Sequence, residues 1–143
     1  WYQLPSSDQT AVLYRPLPGL TIRQISRSGD LDKQLLQQMG AFVARLHEQG
    51  VYFRSLHFGN IVQTSAGKLG LIDIADLSVR PWRLSGFERL RNFRHLCRLA
   101  EDRQGFGPDG WRQFCEAYVA TGGSSKNDAQ ELIRRASAIF DAS

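Results

Sequence analysis

The chain has 143 residues, of which 42% are hydrophobic, and this favours one globular domain over a disordered chain. Eighteen Lys and Arg against fourteen Asp and Glu give a net charge of +4, which tolerates anionic partners without identifying one. Cys97 and Cys115 form no CxxC pair, so we expect two free, buried thiols rather than a zinc or redox site. No apolar run approaches the ~20 residues of a membrane span, and we expect no signal peptide.

The first twenty residues predict two short strands and a linker. Residues 1–3 and 10–14 have strand character, and residues 5–8 have turn chemistry. The segment Arg15 to Gly19 contains two prolines and a glycine, which favours extended backbone over a helix. Residues 20–26 predict one or two helical turns.

A long amphipathic helix is predicted next. Asp30 is suited to cap its first turn, and Gly50 is expected to end it after Gln49. Apolar residues recur between them at intervals of three and four residues, the spacing of one helix face: Leu31, Leu35, Met39, Phe42, Val43 and Leu46.

A loop and a β-hairpin follow this helix. Residues 51–62 lose the helical period and end in the strand-like segment 60–62. Residues 64–67 are typical of a hairpin turn, and residues 69–74 predict a second strand. Asp73 and Asp76 give this strand an acidic end, and Asp76 is interpreted either as a cap or as a ligand of a second cation.

The remaining chain predicts three helices. They cover Gly86 to about Ala100, Trp111 to Thr121, and a last helix opened by Ser124 or Ser125, with residues 105–110 as a loop. Five aromatic residues have helical spacing and are predicted to be core: Phe87, Phe93, Trp111, Phe114 and Tyr118. Arginines 80, 83, 89, 91, 94 and 98 form either a solvated face or a contact for an anionic acceptor.

Asn60 and Asp73 are candidate ligands for a metal ion. Mg²⁺ prefers hard oxygen ligands, and phosphoryl transfer needs such ligands to hold the metal against the triphosphate. Asp73 follows Asn60 by thirteen residues, which suits one tight hairpin between them. Taken singly, each residue also fits an ordinary turn or cap.

The segment from Leu46 to Asn60 resembles the catalytic loop of protein kinases, which reads H-R-D, four residues and Asn. Phe53 takes the place of the His, Arg54 keeps the Arg, Ser55 takes the place of the catalytic Asp, and Asn60 has the metal-binding position. The residues from Ser55 to Asn60 are also similar to the D-x-H-x-x-N loop of small-molecule kinases, with His57 as its His.

Two further segments extend this resemblance. Leu71 to Ala75 is similar to the strand and D-F-G motif of kinases, with Asp73 as the Asp, and Tyr14 to Gly19 is similar to the hinge between the lobes. Over about residues 11–100 the chain most resembles the bacterial lipopolysaccharide-core kinases, the InaA/WaaP-like and Kdo-kinase family. The resemblance implies a mainly α fold with a small β-hairpin, namely a kinase C-terminal lobe from residue 21 to 143. Residues 1–20 are then the remnant of an N-lobe hairpin and the hinge.

The resemblance also implies site residues and ligands. Asn60 and Asp73 would hold Mg²⁺, with ATP contacting the hinge at three residues: Tyr14, Pro16 and Leu17. Arg54, Ser55 and His57 would be the catalytic-loop residues, and acceptor-binding residues are not identifiable. The implied acceptor is an anionic sugar or glycolipid. The resemblance also implies a cytoplasmic protein at the inner face of a membrane, which it contacts peripherally. We expect no nucleic-acid partner.

The departures from the kinase pattern leave alternatives open. No Gly-rich loop or nucleotide-binding Lys precedes the hinge, and the sequence begins at Trp1 rather than Met. We therefore expect an N-lobe upstream, and no activity from this segment alone.

Ser55 is a poor base, so the protein is either a kinase or a pseudokinase that binds without catalysis. A basic module for an anionic polymer is a third hypothesis. His57 is interpreted either as a catalytic residue or as a structural hydrogen-bond hub, and Arg54 as a support that pairs with a carboxylate.

Overall fold

The computed structural model describes residues 16–142 and, before them, the backbone of two short strands. These strands, β1 (Tyr2–Gln3) and β2 (Thr10–Ala11), pair antiparallel and agree with the predicted N-terminal strands. The rest of the first fifteen residues, including the predicted hinge residue Tyr14, lies outside the described residues. From Pro16 onward the chain is mainly helical with small antiparallel sheets, which confirms the predicted fold class at this level.

The first two helices begin at side-chain caps. In α1 (Ile22–Arg27), Thr21 and Gln24 form a reciprocal capping box. In α2 (Lys33–Glu48), the cap is Asp32, whose Oδ1 accepts a hydrogen bond from the backbone N–H of Leu35 at 2.8 Å. The prediction of Asp30 as this cap was wrong by two residues, because the Asp30 carboxylate accepts from Ser28 Oγ instead.

A three-stranded antiparallel sheet contains the predicted hairpin. Its strands are β3 (Gly19–Thr21), β5 (Ile61–Thr64) and β6 (Leu69–Leu71), in the order β3-β5-β6. The hairpin β5–β6 confirms the prediction from the sequence. Strand β3 was not predicted: Gly19 was assigned to the extended linker, and Leu20 and Thr21 to helical turns that in fact begin at Ile22.

A second pair of strands frames the loop between α2 and the hairpin. Strand β4 (Val51–Phe53) precedes the loop and pairs antiparallel with β7 (Leu77–Val79), with Phe53 opposite Leu77. Each strand has three residues, too few to show an alternating pattern in the sequence. The pairing returns the chain after β6 to the start of the loop.

The C-terminal half contains α3 (Gly86–Leu96), α4 (Ala100–Thr121) and α5 (Lys126–Ala142). The predicted loop at residues 105–110 was wrong, because helical structure continues to Thr121 with one kink. Gly107 alone leaves the helical conformation (φ 60°, ψ 169°), and Pro108 restarts the helix where its missing N–H costs nothing. At α5, Ser125 Oγ accepts from the Asp128 N–H at 3.2 Å, which confirms the predicted start.

The core lies between the helices, where α2 packs along α4. Gly40 marks a close approach, since an added Cβ would lie 2.1 Å from the carbonyl oxygen of Phe114. Four of the predicted core aromatics are buried: Phe93, Trp111, Phe114 and Tyr118. Phe87 was predicted wrongly: it is 65% exposed, with the Arg91 guanidinium 5.8 Å from its ring centroid.

Both cysteines are free and buried, as predicted. Burial raises the pKa of each thiol, Cys97 and Cys115, to about 12. Neither is therefore a reactive thiolate at neutral pH.

A buried hydrogen-bond chain joins three helices to strand β4. His47 of α2 is fully buried, with Nδ1 2.8 Å from the Tyr118 hydroxyl and Nε2 3.2 Å from Asn92 Oδ1. Arg89 donates to the Tyr118 hydroxyl at 3.0 Å, and Asn92 Nδ2 donates to the carbonyl of Phe53 at 3.2 Å. Burial, together with the charge of Arg89, lowers the pKa of His47 to about 3.

This low pKa predicts an acid-dependent loss of stability. In the unfolded chain His47 takes up a proton near pH 6.5, whereas in the folded chain it stays neutral down to about pH 3. The contribution of His47 to the free energy of unfolding is therefore complete above pH 6.5 and is lost as the pH falls below it. We expect the free energy of unfolding to fall by about 2 kcal/mol between pH 7 and pH 5 from this group. A His47→Gln variant should lack this component in urea titrations at both pH values. Parallel pH profiles for the wild type and the variant would contradict the assignment.

Candidate functional site

The β-hairpin brings Asn60 and Asp73 to the same end of the sheet. Asn60 closes a short 3-10 turn at residues 58–60 directly before β5, and Asp73 follows β6 by two residues. Ile61 lies opposite Leu71 in the ladder. The Ile72 N–H donates to the carbonyl of Asn60 at 3.0 Å, which extends the pairing to the residue beside Asp73.

The side chain of Asn60 is oriented by the loop that precedes it. Its Nδ2 donates to the carbonyl of Ser55 at 3.0 Å, and the residue is only 8% exposed. Because the amide N–H₂ group binds the loop, the amide oxygen is left as an acceptor. Asn60 therefore has a fixed orientation that a simple surface turn would not require.

Asp73 is exposed and has left-handed backbone, with φ 54° and ψ 51°. Within residues 16–142 it is the one residue other than glycine with positive φ, and its side chain makes no capping hydrogen bond. The interpretation of Asp73 as a turn cap thus has no support in its contacts. Strained backbone of this kind persists where surrounding structure imposes it, often at functional sites.

A buried carboxylate supports the loop from the opposite side. Asp102, in the first turn of α4, is fully buried and accepts two hydrogen bonds from Arg23 of α1, at 3.0 and 2.9 Å. It also accepts from the backbone N–H of Phe58 at 3.1 Å. Arg23 and Asp102 were missed because residues 79 positions apart carry no local signal of pairing. Arg54, the predicted support, is exposed and makes no ion pair within residues 16–142.

His57 is the hydrogen-bond hub of the loop. Its Nδ1 accepts from the Gly59 N–H at 3.1 Å and lies 3.4 Å from Arg23 Nη2. These donors assign the remaining ring proton to Nε2. Burial lowers the pKa of His57, and the charge of Arg23 lowers it further, so the ring is neutral at pH 7. The other ring nitrogen, Nε2, lies 3.4 Å from Asn60 Nδ2, so His57 contacts Gly59, Arg23 and Asn60 and fits the structural interpretation.

Ser55 is paired with Asp76. The antiparallel strands β4 and β7 place the two residues near each other, and Ser55 Oγ donates to Asp76 Oδ2 at 2.7 Å. The second carboxylate oxygen, Oδ1, is buried and has no partner among the described residues. Asp76 is therefore bound to the loop through Ser55, the residue that takes the place of the catalytic Asp in the resemblance, and its side chain makes no helix-capping hydrogen bond within residues 16–142.

The predicted arginine cluster does not act as one surface. Arg89 is buried in the core and binds Glu48 at 2.9 Å, and Arg80 pairs with Glu88 at 3.3 Å. Arg98, between α3 and α4, is the cluster member that lines a cavity with Ser55.

Of the predicted hinge residues, Pro16 and Leu17 are described and exposed. A Cβ added at Gly70 would lie 2.8 Å from Leu17 Cδ1. The Leu17 side chain therefore lies against the middle of strand β6, the strand that leads to Asp73.

This arrangement of long helix, loop, hairpin and returning Asp is similar to that of kinase-type phosphotransferases. The model of the Lipopolysaccharide kinase (Kdo/WaaP) family matches residues 20–118, which include the loop and the hairpin. The chain belongs to this family, and the resemblance seen in the sequence is confirmed. No curated protein matches the chain. Within the described part, no helix is long and apolar enough to cross a membrane.

Removing the loop support should destabilise the fold. Asp102→Ala would leave the Arg23 charge and the Phe58 N–H without their partner, and we expect a loss of about 3–5 kcal/mol in the free energy of unfolding. The matched control is Asp109→Ala, whose pair with Arg112 is exposed and should change stability by less than about 0.5 kcal/mol. Urea denaturation measures both, and similar losses in the two variants would contradict the support role.

Proposed function

We propose that this chain is the C-terminal lobe of a kinase that transfers the γ-phosphate of ATP, with Mg²⁺, to a sugar of the lipopolysaccharide core or a similar cell-envelope glycolipid. In this proposal residues 21–143 form the lobe, and residues 1–20 are the end of an N-lobe hairpin and the hinge. The observation that carries it is the convergence of Asn60 and Asp73 at one end of a hairpin, within a segment that the family model covers.

The two residues fit a magnesium ion that is shared with a nucleotide. No cluster of three or more His, Cys, Asp or Glu suited to a metal occurs in the described part of the chain. Mg²⁺ at nucleotide sites commonly uses one or two protein oxygens and completes its coordination with phosphates and water. The oriented Asn60 amide oxygen and the exposed Asp73 carboxylate would hold it. When bound, the ion would neutralise charge that develops on the phosphates.

The nucleotide would enter between this lobe and the linker. Tyr14, Pro16 and Leu17 are the proposed contacts, and Leu17 lies over the strand that leads to Asp73. Such an arrangement would place the base at the linker and the phosphates at the hairpin end.

Ser55 and Asp76 would together do the work of the missing catalytic Asp. The acceptor oxygen attacks the γ-phosphorus, the bond from that phosphorus to the bridging oxygen breaks, and ADP leaves. Ser55 Oγ would accept the hydrogen bond of the acceptor hydroxyl with a lone pair while donating its own proton to Asp76 Oδ2, 2.7 Å away. The acceptor proton would thus move to Ser55 as the Ser55 proton moves to Asp76.

A pseudokinase is the second candidate, favoured by Ser55 at the position of the Asp. A pseudokinase would use the same loop and hairpin to bind nucleotide or a partner protein without transfer. For either function we propose a cytoplasmic location at the inner face of a membrane, since the family's acceptors are envelope glycolipids.

Nucleotide binding should depend on Mg²⁺ and on Asp73. In calorimetric titrations of the full-length protein with ATP, we expect Asp73→Ala to weaken the Mg²⁺-dependent binding at least about tenfold, which corresponds to about 1.4 kcal/mol. Asp109→Ala, which removes an exposed carboxylate elsewhere, should bind like the wild type. Equal affinity with and without Mg²⁺, or no effect of Asp73→Ala, would contradict the proposed metal site.

The pair Ser55–Asp76 predicts coupled losses of activity. We expect Ser55→Ala and Asp76→Asn each to lower kcat about 10²-fold with a lipopolysaccharide-core oligosaccharide, and the double variant to lose little more. Binding of Mg²⁺·ATP should be unchanged in all three.

Replacing Ser55 by Asp separates the two candidate functions. Ser55→Asp combined with Asp76→Asn restores a loop carboxylate without placing two like charges together. If the wild type is inactive and this double variant gains activity, the protein is a pseudokinase. If the wild type is active and Ser55→Ala lowers its turnover, the protein is a kinase that uses this pair.

A further inference from the structure

A small cavity opens beside the loop. It has a volume of about 150 Å³, and we call it the loop cavity; it is lined by Arg54, Ser55, His57, His95, Arg98 and Leu99. A water molecule takes up about 30 Å³ in the liquid, so the cavity has room for a carboxylate or phosphate group.

The side chains that line the loop cavity give it a positive charge. No Asp or Glu lines it, while Arg54 and Arg98 bring two permanent positive charges. Neither guanidinium has a hydrogen-bond or ion-pair partner within residues 16–142, unlike Arg23, Arg80 and Arg89, which are paired with carboxylates. Two arginines without partners are suited to charge-assisted, bidentate hydrogen bonds with an oxyanion.

The two histidines line the loop cavity without adding positive charge. Burial lowers the pKa of His95, and the charges of Arg91, Arg98 and Arg54 lower it further, with Asp76 acting in the opposite direction. His57 is neutral for the reasons given above. The neutral His95 imidazole can donate a hydrogen bond to an anion at pH 7, and the arginines supply the attraction.

Ser55 is shared between the loop cavity and the proposed transfer step. An anionic group held between Arg54 and Arg98 would bring a hydroxyl of the same molecule to Ser55. We infer that the loop cavity binds a carboxylate or phosphate substituent of the acceptor sugar, and so selects acceptors in which this substituent lies near the hydroxyl that is phosphorylated. This inference rests on the proposed function and adds the recognition element that the sequence did not identify.

Histidine NMR signals of the full-length protein provide the test, because the chain has three histidines and only two line the loop cavity. The probes are glucuronate, glucose 6-phosphate and neutral glucose, at constant ionic strength. We expect both anions, but not glucose, to shift the ring signals of His57 and His95. The signal of His47, buried among the helices, should not move.

A matched pair of arginine variants tests the residues. Arg98→Gln should weaken binding of the anionic probes at least about tenfold. Arg94→Gln, which changes an exposed arginine of α3 four residues before Arg98 and outside the cavity, should leave binding unchanged. A stronger response to glucuronate indicates a carboxylate substituent, and a stronger response to glucose 6-phosphate indicates a phosphate. No shift with either anion, equal shifts with glucose, or equal losses in the two variants would overturn the inference.

Titration of the same samples with Mg²⁺·ATP separates this inference from the proposed function. Unchanged ATP affinity in Arg98→Gln supports the assignment to the acceptor. A parallel loss of ATP affinity would overturn it, since the cavity would then hold a nucleotide phosphate. Anion binding in a protein that never binds Mg²⁺·ATP would refute the proposed kinase and, with it, the assignment to an acceptor.

Discussion

The buried carboxylate of Asp102 is the constraint on which the candidate site depends. It accepts from two nitrogens of Arg23 and from the Phe58 backbone, so one side chain ties α1, α4 and the loop together. A fully buried carboxylate is stable only when its lone pairs are satisfied, and every one of these donors is needed for that. The position of the loop backbone is therefore tied to the packing of the helices.

A second set of buried polar contacts fixes the beginning of the loop. The chain from Arg89 through Tyr118, His47 and Asn92 ends on the carbonyl of Phe53, the last residue of β4. Strand β4 is also held by β7, which carries Asp76 toward Ser55. The loop is thus held at Phe53 and at Phe58 by separate networks. Between these points Leu56 is buried in the core, whereas Arg54, Ser55 and His57 line the loop cavity.

The sequence predicted what depends on local pattern. The apolar spacing of α2, the hairpin turn before Lys68 and the motif-like residues Asn60 and Asp73 could all be found within short windows. The interactions that orient those residues could not. Arg23 and Asp102 are far apart in sequence, and Ser55 meets Asp76 only because two three-residue strands pair. The prediction of a loop at residues 105–110 was wrong for a related reason. Its glycines and proline indicate the end of a helix, but α4 packs against α2 and continues past a kink at Gly107.

The neutral state of His57 has a consequence for how the site divides its charges. Burial and the charge of Arg23 lower the His57 pKa. On the two sides of the proposed site, Arg98 of the loop cavity also lowers it, whereas the exposed carboxylate of Asp73 raises it. A charged imidazole at this point would repel the metal proposed for Asp73 and would reduce the contrast between the two sides. A neutral imidazole, held by Gly59 and Arg23, keeps an acidic edge for a metal–nucleotide complex apart from a basic cavity for an anionic acceptor. Burial of the ring and the charge of Arg23, which Asp102 holds in place, lower the His57 pKa and so keep the two halves of the proposed site electrostatically distinct.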